Sequence, residues 1–232
     1  MIRSLAQRAQ QEEQMDAPDL PEPVYADVLS GLSRVNIATL AARPTLDFLR
    51  RALPPGEPFR LLDVGFGDGG MLRSIFRWSK RHGHACELVG IDLNPRSAAV
   101  ALARHPSGAN ISYRTGDYAD LAEERWDFIV SSLVAHHMSD AERLDFLRFM
   151  ERHATRGWFV NDLHRQAFAY YGFPMLARLL GVHRIVRQDG QLSIARSFRP
   201  AEWQAMLRAA GMTDSARLRR YFPSRLCVEQ IR

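Results

Sequence analysis

Leu61-Leu62-Asp63-Val64-Gly65-Phe66-Gly67-Asp68-Gly69-Gly70 is the most informative run in the chain. An apolar segment ends in a glycine-rich turn, and an amphipathic stretch, Gly70–His82, follows. Strand, turn and helix in that order aim backbone N–H groups and the positive end of the helix dipole at a bound ligand. Glycines at 65 and 67 permit the tight turn and let a ligand approach the main chain without meeting a Cβ atom.

The same alternation continues on the C-terminal side of this run. Short apolar runs at Arg60–Val64, Glu87–Asp92, Ile111–Thr115, Trp126–Ser131 and Gly157–Asn161 read as strands. Gly70–His82, Pro95–Arg104 and Asp140–His153 read as helices between them. Such crossovers are right-handed and build a mostly parallel sheet, so the fold class is α/β, doubly wound and Rossmann-like. Ala216–Phe222 and Arg225–Ile231 flank Pro223-Ser224 and predict a C-terminal antiparallel hairpin, which brings the sheet to seven strands. Residues 166–200 break the rhythm with a helix near Ala167–Leu180 and a turn around Asp189-Gly190. A helix at Pro200–Ala210 then stops at Gly211.

Residues 1–23 are polar and carry Pro18, Pro21 and Pro23, which predicts a frayed helix and a stiff linker. Between Tyr25 and Leu53 apolar residues recur at helical spacing, with Pro44 placed to open a second helix. The expected organisation is a helical extension or lid over 1–56 and a ligand-binding domain over 57–232.

The bulk composition excludes several classes. At 46% hydrophobic and 25% charged residues the chain has an ordinary globular balance. No window approaches the roughly 18–20 apolar residues of a membrane span. The N-terminal residues lack the apolar core of a signal peptide, and Cys86 and Cys227 form neither a disulfide framework nor a zinc pattern, so a reducing cytoplasm is expected. The net charge of +5 invites a nucleic-acid partner. Of the 31 basic residues, however, all but Lys80 are arginine, and they are scattered rather than clustered, so no nucleic-acid partner is expected.

Gly65, Gly67 and Gly70 also satisfy the dinucleotide pattern, and Asp92 follows Gly70 by 22 residues, where a ribose-binding acid belongs. An NAD(P)-dependent oxidoreductase is therefore the competing class. Three features count against it. Asp63 stands two residues before the first glycine, where a carboxylate would repel a pyrophosphate but suit an ammonium group. Gly116-Asp117 follows the third strand and offers hydrogen-bonding groups to an adenine edge. The terminal hairpin is unusual in a dinucleotide enzyme.

Taken in order, these motifs resemble the class I S-adenosylmethionine-dependent methyltransferases. Asp63-x-Gly65-x-Gly67-x-Gly69 is similar to their first motif, Gly90-Ile91-Asp92 to the second and Gly116-Asp117 to the third. Trp126–Ser132 with His136-His137 resembles the fourth strand of the small-molecule branch. The resemblance runs from about Phe59 to Asp162. It implies S-adenosyl-L-methionine as cofactor, with Asp63 at the methionine end and Gly65, Phe66 and Gly67 in the cradle. Asp92 and Leu93 would lie at the ribose, Asp117 and Tyr118 at adenine, and Ser132 at the end of the fourth strand. A cofactor-binding protein without turnover has the same signature.

The partner is expected to be a small-molecule methyl acceptor. Acceptor and proton-accepting groups belong at the carboxyl ends of the strands, and His136, His137 and His164 fall there. His137 and His164 are the favoured catalytic candidates. No metal is expected: Ser131 and Ser132 occupy the place where a catechol-type site needs a carboxylate. The aromatic stretch Phe168–Leu176 is set to line the acceptor site. Asn161–Arg165, followed by Asp189-Gly190 and Ser193–Phe198, resembles a bacterial branch that accompanies polyketide-type or aromatic secondary metabolism, which implies methylation at oxygen of a phenolic or polyketide-like compound.

Overall fold

The computed structural model describes residues 5–17 and 19–232; Pro18, one of the expected linker prolines, and residues 1–4 lie outside the described residues. Among the described residues seven strands form one sheet: β1 (Phe59–Val64), β2 (Cys86–Asp92), β3 (Ile111–Thr115), β4 (Trp126–Ser132), β5 (Ala154–Leu163), β6 (Arg217–Tyr221) and β7 (Arg225–Ile231). Their order is β3-β2-β1-β4-β5-β7-β6. β1 to β5 run parallel, while β7 inserts antiparallel between β5 and β6. The doubly wound sheet and its terminal hairpin are thus as the sequence predicts.

Among the described residues eight α-helices accompany the sheet: α1 (Glu22–Ala38), α2 (Arg43–Ala52), α3 (Gly70–His82), α4 (Pro95–Leu102), α5 (Asp140–His153), α6 (Ala167–Leu179), α7 (Arg184–Arg196) and α8 (Pro200–Ala210). The central strands are covered on both faces, which is why they read as near-continuous apolar runs. Successive residues feed opposite cores. Leu62, Ile129, Trp158 and Val228 face α5 and α8, where Phe146, Met150, Trp203 and Leu207 meet them. Leu61, Phe128, Phe159 and Cys227 face the other way, against Phe48 and Leu49 of α2 and Leu72 and Ile75 of α3. A third cluster joins Val28 and Val35 of α1 to Ala177, Val182 and Val186 of the α6–α7 pair.

Local signals set the helix starts. Ser139 caps α5 in a reciprocal box with Glu142. Asn94 accepts the Arg96 N–H ahead of Pro95 at the start of α4. α3 ends at Gly83, whose φ of 73° closes the helix in the left-handed region.

Three expectations need correction. Asp189-Gly190 is not a turn but lies inside α7. Asp189 is buried and accepts the Met15 N–H at 2.9 Å, while a Cβ at Gly190 would fall 2.2 Å from Cζ of Phe173. Glycine is there to admit that ring, not to reverse the chain. Residues 5–13 form no helix; a single 3-10 turn at Gln14–Asp16 precedes α1, which opens at Glu22 with proline in its first turn. This strap is held by distant partners, with Ala9 N–H on Ala195 O at 3.0 Å and the Arg8 guanidinium on Arg196 O at 2.7 Å. β5 is also longer than expected, starting at Ala154, because it pairs with Trp126 there. Among the described residues no helix is long and apolar enough to cross a membrane.

The Phe48 ring stacks on Phe159 at 4.9 Å and meets Phe128 edge-on at 5.8 Å, without solvent exposure. It is the plug that docks α2 on the sheet. Phe48→Ala is expected to lower the free energy of unfolding in urea by about 3–5 kcal/mol; a loss well under 1 kcal/mol would mean that α2 is not part of the cooperative core.

Candidate functional site

The glycine loop leaves β1 with its backbone in the left-handed region. Gly65 has φ 76°, and a Cβ there would lie 2.3 Å from Cγ2 of Val134. At Gly67 (φ 53°) the space a side chain would fill is open, with Leu29 Cδ2 at 4.0 Å. One glycine therefore answers a close approach of the β4 loop and the other leaves a clear face for a ligand. Asp92, at the end of β2, braces the loop: Oδ2 accepts the Gly67 N–H at 2.8 Å and Oδ1 the Asn94 N–H at 2.9 Å. Burial raises its carboxyl above the ordinary range, and those two N–H groups hold it back.

Asp63 occupies the next position inward. It is 1% exposed, and neither carboxylate oxygen has a hydrogen-bond partner among the described residues. Burial, reinforced by Asp92 and Asp68, pushes its carboxyl well above the usual carboxylate value. It lines a hollow of about 640 Å³ that shares Gly65, Phe66 and Ser132 with a larger cavity of about 710 Å³.

The larger cavity gathers most of the residues marked from sequence. Gly65, Phe66, Gly67, Asp92, Leu93, Tyr118, Ser132 and His137 all line it. Leu93 presents an apolar side chain that is 73% exposed. The Tyr118 ring leans on Phe146 and Phe149 at 5.0 and 4.9 Å, and burial beside Asp117 pushes its hydroxyl up to about 12. Asp117 does not join the wall; Gly116 does. The Asp117 carboxylate is exposed and caps the next turn, accepting the Ala119 N–H at 2.9 Å.

The three histidines have different surroundings. His137 is part-exposed on the cavity wall, and its Nδ1 lies 3.1 Å from Asp16 Oδ2. His136, on the same wall, is 2% exposed; its Nδ1 lies 2.7 Å from Asp162 Oδ1, and its N–H donates to Asp162 Oδ2 at 3.0 Å. Burial opposes its charge, but the Asp162 and Glu13 carboxylates outweigh that and raise it to about 9. His164 is buried outside the cavity wall, with its backbone tied to Ser224 in both directions and its ring against the Gln166 amide. Burial and the neighbouring Arg220, Arg199 and Arg165 lower its proton affinity.

Sequence reasoning missed Glu13 and Asp16, which reach the cavity from the strap. No local pattern marks them, because what brings them there is the pairing of residues 8–15 with α7. Phe168, Gly172, Phe173, Leu176 and Ile194 supply an apolar wall from α6 and α7, and Leu29, Leu32 and Val35 of α1 close the opposite side.

Residues 61–157 match the methyltransferase domain family, a little under half of the chain. No curated protein sequence matches. Among solved structures, human N-acetylserotonin methyltransferase in complex with SAM is similar, at 14% identity and a TM-score of 0.65, over 97% of this chain and 60% of that one. Magnesium protoporphyrin IX methyltransferase from Synechocystis PCC 6803 with bound SAH is similar at 14% identity and a TM-score of 0.55, over 94% and 91%. The plantazolicin methyltransferase BamL, in complex with a triazolic substrate analogue and SAH, gives 14% identity and a TM-score of 0.58, over 88% and 85%. Sheet order, glycine loop and domain match agree: residues 61–157 are similar to a methyltransferase domain, and the chain has the Rossmann-like fold of these solved methyltransferase structures.

Proposed function

We propose that this chain is an S-adenosylmethionine-dependent methyltransferase for a small, partly hydrophobic acceptor, methylated at oxygen. The observation that carries the proposal is Asp63. A buried carboxylate with both oxygens unpartnered calls for a cation. The ammonium of a methionine moiety meets that need, directly or through water, whereas a pyrophosphate in the same turn would be repelled. The dinucleotide alternative is therefore disfavoured.

When bound, S-adenosylmethionine supplies a methyl group on a sulfonium centre that is already a good leaving group. The protein is left with holding, orienting and excluding water. Asp92, fixed by two backbone N–H groups, keeps lone pairs free to accept ribose hydroxyls. Leu93, Tyr118 and the Gly116 backbone offer an apolar and polar edge for adenine. The helical extension over 1–56 serves as the lid, with Leu29, Leu32 and Val35 over the ligand. Residues 166–200 shape the acceptor end with aromatic and aliphatic side chains, which suits a phenolic or polyketide-like compound from secondary metabolism. In the free protein His136 sits between the Asp162 and Glu13 carboxylates, which raise its proton affinity, so it already carries a proton that only a competing cation at Nε2 would displace and it cannot serve as the base. His137 is the histidine that serves the acceptor, while His164 packs. The two free thiols, Cys86 and Cys227, accord with a reducing cytoplasm.

Calorimetry separates the enzyme classes. S-adenosylhomocysteine should bind and NAD(H) should not. Asp92→Ala should weaken that binding by roughly a hundredfold, the loss of charge-assisted bonds to two hydroxyls, with thermal unfolding little changed. Tight NAD(H) binding, or an unaltered Asp92→Ala affinity, would overturn the assignment.

Asp63 gives the affinity a pH dependence. A carboxyl raised by folding binds more protons folded than unfolded, so it favours the free fold at low pH. That contribution is lost as pH rises through the folded value. An ammonium ligand needs the ionised form. Affinity for S-adenosylhomocysteine should therefore climb with pH above the ordinary carboxylate range and level off once Asp63 is ionised in the free protein. Asp63→Asn should flatten the profile and cost about 2 kcal/mol or more of binding.

Once an acceptor is in hand, His137→Gln should lower kcat by about tenfold or more. His164→Gln should leave kcat within about twofold unless the fold suffers. The reverse order of effects would move the acceptor to the other side of β5.

A further inference from the structure

We propose that Glu13, His136 and His137 form a binding site for a divalent transition-metal ion at the acceptor end of the large cavity. Among the described residues these three offer ligand atoms that all lie within 4.8 Å of one another. His136 Nε2 is 3.6 Å and His137 Nε2 3.8 Å from the same oxygen, Glu13 Oε1. Both separations are too long for hydrogen bonds. They are close to the edge of a tetrahedron, about 3.4 Å, that ligands at about 2.0–2.1 Å from a zinc-like ion would span.

The orientation of the rings is an independent argument. Metal-bound imidazoles characteristically give their other nitrogen to a carboxylate or carbonyl, which fixes tautomer and direction. Both rings here are held in that way, His136 Nδ1 by Asp162 at 2.7 Å and His137 Nδ1 by Asp16 at 3.1 Å. Each Nε2 is thereby turned toward Glu13. That of His136 is buried and has no hydrogen-bond partner, in a residue only 2% exposed. Glu13 is itself fixed, accepting the Ser193 hydroxyl at 2.8 Å.

Two imidazoles and one carboxylate suit Zn²⁺, Co²⁺ or Fe²⁺ better than the all-oxygen preferences of Ca²⁺ or Mg²⁺. The site is distinct from the catechol-type chelate that Ser131 and Ser132 rule out. All three ligands line the cavity, so the remaining coordination position opens into it. The use of the ion rests on the methyltransferase proposal; its binding does not. An acceptor hydroxyl taking that position would lose its proton to solvent more readily; its oxygen would then bond to the methyl carbon as the carbon–sulfur bond of the sulfonium breaks, the electron pair staying on sulfur and S-adenosylhomocysteine leaving. His137 would act as a ligand, not as the proton acceptor.

The test uses tag-free protein, stripped with a chelator and titrated with Co²⁺ and then Zn²⁺ in the absence of cofactor. One equivalent of Co²⁺ should bind, with visible absorption of a low-coordinate nitrogen–oxygen site, and Zn²⁺ should displace it. Glu13→Gln and His137→Gln should abolish the absorption, and Asp16→Asn should weaken affinity by about tenfold or more. Circular dichroism of each variant guards against misfolding, and the exposed Asp16 keeps the test informative if a ligand variant fails to fold. No stoichiometric uptake by the wild type, or unchanged uptake in the Glu13 and His137 variants, overturns the proposal. S-adenosylhomocysteine binding on the same samples separates the two claims: cofactor binding without metal uptake sinks the ion site alone, and the converse sinks the methyltransferase proposal alone.

Discussion

Strand addition reverses direction at β1, and the site follows from that. The chain lays β2 and β3 on one side of β1, then returns to lay β4 and β5 on the other. The loops leaving β1 and β4 therefore diverge, and a crevice opens at their carboxyl ends. Helices bury both faces of the sheet, so this end is where a ligand can reach backbone N–H groups and strand-end acids together. Asp63, Asp92, Ser132 and Asp162 stand at the ends of four strands with few positive groups among them. A clamped imidazole meets the last of these charges, and under the proposed function a cationic nucleoside would meet the first.

The closure of that crevice comes from the chain's own beginning. Residues 8–15 run along α7, and Glu13 reaches His136 and His137 only because Ala9, Met15 and Arg8 are anchored to helix residues more than 170 positions away. α1 then lies over the opening on its own small core with α6 and α7. Floor and cover of the cavity are thus independent in sequence and coupled in space. A loosened strap would expose the acceptor end while the glycine loop and its bracing Asp92 stayed intact.

What could be read from the sequence was local. The loop from Asp63 to Gly70, the acid at 92 and the alternation of strands with helices are short-range patterns, and the doubly wound, mostly parallel sheet they predict is present. The terminal hairpin was marked by Pro223-Ser224 between two strand-like runs. The failures share one cause, partners distant in the chain. Asp189-Gly190 imitates a turn, yet the missing Cβ makes room for Phe173 and the acid satisfies Met15. His136 and His137 are adjacent letters on one cavity wall with different partners, the first buried against Asp162 and the second part-exposed beside Asp16. The loop that carries them leaves β4 through Leu133 at φ 64°, which no spacing rule shows. Asp117, correctly placed after β3, spends its carboxylate on capping, as aspartates in turns often do.

The place of β7 has a consequence for how the polypeptide comes together on the ribosome. β7 follows every other described element in the chain, yet it is an interior strand, hydrogen-bonded to β5 on one side and β6 on the other. Until residues 225–231 emerge, β5 presents a bare edge of unpaired amides flanked by Trp158, Phe159 and Val160. Such an edge is the surface on which nascent chains associate with one another. The nascent protein carries this sticky seam from the completion of β5 until residues 225–231 are free to pair with it.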